Sequence, residues 1–116
     1  FKITPKMWSF LDTLSTNPKA KNAMIKLFKE SVEGDGAEFV FLMIARQIRI
    51  LIQIKENNPP KIAPFMLGKL NKQAKEFSLN KLLDLHQKLY LIDQKQKQST
   101  GLLSLESELD LFLFNM

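Results

Sequence analysis

FVFLMIARQIRILIQIKE, residues 39–56, is nearly apolar enough for a membrane span, yet Arg46, Gln47 and Arg49 stand in its middle. Its longest apolar run, 39–54, falls short of the roughly 20 residues that cross a bilayer. Each central arginine would cost about 2.5 to 3.5 kcal/mol or more on insertion. The stretch is therefore expected to be a helix within a folded domain rather than a span. At the helical step of roughly 100° per residue, Glu38, Leu42, Arg46, Arg49, Gln53 and Glu56 fall on one strip roughly 80° wide. The remaining circumference is apolar except for Gln47, so this helix should be central and packed on at least two sides. Asp35 is its expected N-cap, and Asn57-Asn58-Pro59-Pro60 its stop.

Helix punctuation is as dense on either side. Upstream, Thr4-Pro5 opens a helix with Met7, Trp8, Leu11 and Leu14 at helical spacing, and Asn17-Pro18 opens a second. The second places Ala20, Met24, Leu27, Phe28 and Ser31 on one stripe, with Lys19, Lys26 and Lys29 outside it, and Gly34 as its stop. Downstream, a fourth helix is predicted over 64–77, with Met66, Leu67, Leu70, Ala74 and Phe77 inward and Lys69, Lys72 and Lys75 opposite. Ser78 caps a fifth through about Gln96, whose buried face is expected to hold Leu79, Leu82, Leu83, Leu85, Leu89, Tyr90 and Ile92. His86 and Asp93 fall inside that face. After a polar linker, QKQKQSTG (94–101), Ser104 and Ser107-Glu108 open a last helix with Leu105, Leu109, Phe112, Leu113 and Met116 on one side. No strand pattern and no repeat of fixed period is present. The expected fold is all-α: one compact bundle of about six helices.

The totals agree with one domain spanning 1–116. A chain of 116 residues with 45% hydrophobic and 25% charged residues can bury one core. Its 17 basic residues against 12 acidic ones allow a nucleic acid or acidic partner without requiring either. With no cysteine, disulfides and thiolate metal sites are excluded, and a reducing compartment, the cytoplasm, is expected. The chain begins at Phe1 without a signal-peptide pattern, so a piece of a longer protein is expected.

No catalytic constellation emerges. One histidine and no cysteine rule out His/Cys pairs and multi-histidine metal sites within the chain. His86, between Leu82 and Tyr90, is expected to be a partly buried structural residue. The glycines at 34, 36, 68 and 101 form no phosphate-cradling loop, and Asp84, Asp93, Glu106, Glu108 and Asp110 have no convergent partners. No catalytic, cofactor-binding or metal residue is therefore assigned, and neither a cofactor nor a small-molecule substrate is expected. Lys69, Lys72 and Lys75, with Lys61 and Lys81 nearby, form a face that could follow a phosphate backbone, but no aromatic alternates with them and a plain solvated face is the favoured reading. PPKIAPFMLGKLNKQAKEF (59–77) has a helix-turn-helix flavour, but Pro64 stands where a turn glycine is wanted and its second helix lacks grouped base-reading side chains. Asp93, an acid in an apolar stripe, is expected to pair with Arg46 or Arg49.

The order of these motifs resembles the carboxyl-terminal domain of the delta subunit of bacterial DNA polymerase III, part of the sliding-clamp loader. FLMIARQIRILIQIKE (41–56) is similar to that family's A-R-Q-aromatic/aliphatic-R-x-L-L-x-x-K pattern through Ala45, Arg46, Gln47, Arg49 and Lys55. PFMLGKLNKQAKEFSLNKLLDLHQKLYLIDQKQK (64–97) is similar through Gln73, Ala74, Phe77 and Ser78, then Asp93 and Lys95, and LESELDLFLF (105–114) is its closing leucine-rich helix. The residues up to Pro18 match by position only, and His86 departs from the usual apolar residue. The resemblance implies an all-α collar domain, the third of a subunit whose two AAA+-like domains precede it. Its partners would be the other clamp-loader subunits in a collar ring, with DNA met through the complex and weakly or not at all alone. On this reading Arg46, Gln47, Arg49 and Asp93 are structural or interface residues. The alternative is a sequence-independent DNA-binding helical domain using Lys69, Lys72 and Lys75.

Overall fold

The Thr4 hydroxyl accepts a hydrogen bond from the Met7 amide at 3.2 Å, and Pro5 fills the first turn that this cap opens. In the computed structural model, which describes residues 3–98 and 103–116, that turn begins α1 (Pro5–Asp12), and every regular element among those residues is helical. A single 3-10 turn (Pro18–Ala20), capped by Asn17, leads into α2 (Lys21–Asp35). Gly34 does not stop α2. The helix runs through Asp35 and breaks at Gly36, whose backbone lies at φ 86° and ψ 151°. Asp35 consequently ends α2 instead of capping the next helix, and its carboxylate accepts a hydrogen bond from the Thr4 hydroxyl at 3.3 Å.

The opening stretch of the sequence forms α3 (Ala37–Lys55). Asn57 closes it in the left-handed region at φ 59°, and the amides of Asn57 and Asn58 return to the carbonyls of Ile54 and Gln53 at 3.1 and 2.9 Å. This paired closure gives carbonyls of the last turn their donors before Pro59-Pro60 turns the chain away. α4 (Pro64–Ala74) ends three residues earlier than its apolar pattern suggested, although Phe77 still reaches the core from the following turn. α5 (Leu79–Gln98) starts at Ser78, whose hydroxyl accepts the Lys81 amide at 3.0 Å, and takes in the first five residues of the expected linker. Residues 99–101 of that linker lie outside the described residues. α6 (Leu105–Phe114) is capped by Ser104 and carries Glu106 and Glu108 at its positive end.

α3 packs against each of α1, α2, α4, α5 and α6, as expected of a central helix. Val40, Met43, Ile44, Ile48 and Leu51 supply its inward side chains, and one connected core joins them to Phe10, Phe28, Leu82, Leu85 and Leu109. The Phe10 and Phe28 rings meet at 5.9 Å with their planes tilted by 47°, a spacing favourable for aromatic pairs. The buried row of α5 is narrower than its leucine content suggests: Leu82, Leu85, Leu89 and Ile92 face inward. Leu83, His86 and Tyr90 form an offset row that is exposed, so His86 is a surface residue and not a partly buried one. Among the described residues, no helix is long and apolar enough to cross a membrane.

Candidate functional site: a groove along the arginine strip

The polar strip of α3 points outward. Glu38, Leu42, Arg49 and Glu56 are exposed, while Arg46 and Gln53 are half-buried. Around Arg46 the surface is hollowed on both sides. Towards α1 and α4 lies a well of about 470 Å³ lined by Trp8, Ile50, Ile62, Phe65, Met66 and Leu70 among others. Towards α5 lies a shallower hollow of about 570 Å³, where Arg46, Arg49 and Lys61 meet Leu83 and His86. Arg46, Ile50 and Ile62 line both, so the two form one groove across the strip. Pro60 and Ile62, from the connection between α3 and α4, supply its far wall. Pro59 and Pro60 hold that connection out of helical geometry, and Ile62 within it packs back against the core.

The charge along this groove is one-sided. Arg46, Arg49 and Lys61 form no ion pair among the described residues. The acid at the groove is Asp12 on the rim of the well, 3.8 Å from Lys69 with both side chains largely exposed. Such a solvated pair is worth at most about 1 kcal/mol and leaves the groove cationic. The guanidiniums and the ammonium offer hydrogen-bond donors with no acceptor of their own, beside an apolar well: binding chemistry for an anionic group attached to an apolar one. Among the described residues, no three His, Asp or Glu side chains stand together in a way that would hold a metal ion.

No family model, curated protein or solved structure matches the chain. The site therefore rests on its own geometry. Asp93 does not meet the arginines. Its carboxylate is 3.0 Å from the Lys97 ammonium, one turn along α5, and it shares a depression with Glu38 and Leu42. The reason is that α5 runs antiparallel to α3. His86 lies beside Arg46 and Arg49, while Asp93 lies more than one turn away, beside the N-terminal part of α3. Lys69, Lys72 and Lys75 are all exposed, and Asp12 and Glu76 line the same shallow hollow as the first two.

Gln47 faces inward, and its partner was not anticipated. Its side-chain amide donates to the Gln73 carbonyl oxygen at 2.8 Å, and the Gln73 amide donates to the backbone carbonyls of Leu11 and Leu14 at 2.9 and 3.1 Å. The two carbonyls at the end of α1 can only accept, which orients Gln73, and Gln73 in turn orients Gln47. Both glutamines are buried, so the end of α1 is capped by a helix that lies far along the chain. A hint existed in the sequence: Gln73 falls on the row Leu70, Ala74 and Phe77, just as Gln47 interrupts the apolar side of α3.

Proposed function

We propose that the chain is a structural assembly domain of the clamp-loader delta-subunit collar type. It would pack with other clamp-loader subunits in the collar that supports sliding-clamp loading during DNA replication. The observation that carries this reading is the contact between Gln47 and Gln73. These residues belong to two of the stretches on which the resemblance rests, and together they tie α3, α4 and α1 into one unit. Arg46 and Arg49, from the same motif, remain on the outside, available to a neighbouring subunit. The surface also offers the apolar side chains that assembly needs: Leu42, Phe65, Tyr90 and Phe114 are each more than half exposed. A bundle that only docks requires complementary faces and no reactive group. The proposed compartment is the cytoplasm.

Reconstitution tests the reading. Mixed with the other subunits of a bacterial clamp loader, the chain should co-elute with them in size-exclusion chromatography, and Arg46→Glu with Arg49→Glu should weaken that association. Failure to co-elute at micromolar concentration counts against it. The second reading, DNA binding without sequence preference, draws on the solvent exposure of Lys69, Lys72 and Lys75 along α4. It requires an affinity for duplex DNA that falls steeply with salt and with Lys→Gln changes at those three positions. No binding to DNA at low salt removes it.

A further inference from the structure

We infer that the groove across α3 is a docking site for an acidic, amphipathic segment of a partner protein, whose carboxylates meet Arg46 and Arg49 while an apolar side chain enters the well beside Trp8. Two features on either side of Arg46 demand this combination. The hollow towards α5 presents Arg46, Arg49 and Lys61 without a neutralising acid, so an anion placed there replaces water around cations that have no ion-pair partner among the described residues. The well towards α4 has walls of isoleucine, methionine and leucine, and at its rim Phe65 is 73% exposed, a large ring that gains by being covered.

A nucleic acid fits less well. A phosphodiester chain gains nothing from Ile50, Ile62 and Met66. An amphipathic segment uses both halves, with acids on one face and a leucine or phenylalanine on the other, in the manner of helices laid in grooves. Charge complementarity is thus the argument for the occupant, and it stands whether or not the domain belongs to a collar. Loss of clamp-loader association would leave the inference intact, and loss of peptide binding would leave the assembly reading intact.

Trp8 is the only tryptophan in the chain and lines the well, so occupancy has a built-in optical readout. The probe is a fluorescein-labelled peptide of about 15 residues with Asp and Glu on one helical face and Leu and Phe on the other. Added to the intact chain, it should raise its own anisotropy, and the unlabelled peptide should shift Trp8 emission. Arg46→Glu with Arg49→Glu should weaken binding about tenfold or more, and raising the salt should weaken it for the unaltered chain. Phe65→Ser, at an exposed position that leaves the fold intact, should weaken it several-fold without altering the far-ultraviolet spectrum. The inference is overturned by peptide binding indifferent to these substitutions or by no binding at about 100 μM peptide, a level at which even weak docking registers. Tighter binding of a single-stranded oligonucleotide at the same arginines also overturns it, in favour of nucleic acid. So does a concentration-dependent dimer in sedimentation that Arg46→Glu with Arg49→Glu abolishes, in favour of a second copy.

Discussion

Gln73 has three hydrogen bonds and almost no contact with water, so its loss is felt in three places at once. Gln73→Ala should destabilise the domain by about 2 to 3 kcal/mol, because the Gln47 amide and the Leu14 carbonyl would stay buried without partners and the Leu11 carbonyl would keep only the Leu14 amide. Urea unfolding measures this, and an unchanged midpoint would mean the network does not hold α1. Ser31 makes the opposite case. Its hydroxyl is buried and has no hydrogen-bond partner among the described residues, so Ser31→Ala should stabilise by about 1 kcal/mol and raise the thermal midpoint by a few degrees. At this scale the sequence was legible where one helix suffices. That Arg46 and Arg49 share one strip follows from periodicity alone. Pairing across helices was not legible, since a helical wheel gives the angle of a side chain around its axis and nothing about its height against a neighbour. Asp93 has a compatible angle and the wrong height, and Gln73 and Gln47 have both right.

Two glycines, two residues apart, separate the demands of a helix from those of a break. Gly36 joins α2 to α3 in a region of backbone space that is essentially closed to other residues, while Gly34 lies within α2. Neither has an atom near the place a Cβ would occupy, so backbone conformation alone decides the outcome. Gly36→Ala should cost about 1 to 3 kcal/mol, whereas Gly34→Ala should stabilise by about 0.5 to 1 kcal/mol. Thermal melts of the two variants should therefore move in opposite directions, and a shift of the same sign in both would place the helix break elsewhere. Both glycines signal a stop in the sequence, and local composition does not say which one the tertiary packing chooses. The caps at Thr4, Ser78 and Ser104 were legible because a hydroxyl reaching back to the next turn needs no tertiary partner. The inward row of α5 was not fully legible, since leucine and other apolar residues surround most of its circumference and do not single out one face.

Across the whole molecule the core is continuous, from Phe10 in α1 through Ile44 in α3 to Phe112 in α6. Unfolding should therefore be one event: Trp8 fluorescence, which reports on the α1 end, and far-ultraviolet circular dichroism, which reports on all helices, should share a midpoint in urea. A lower midpoint for Trp8 would show that α1 and α4 detach first. The same architecture was legible early, because a central helix apolar on most of its circumference requires neighbours on several sides. The groove was not, since its lining comes from α1, α3, α4, α5 and the connection rich in proline between α3 and α4. The glutamine that caps α1 adds a consequence in time. Gln73 follows Leu11 by 62 residues, so at roughly 5 to 20 residues per second the ribosome emits α1 several seconds before its cap exists. During that interval the Leu14 carbonyl and one lone pair of the Leu11 carbonyl stay open to water, and the end of α1 is completed only when α4 has emerged and docked.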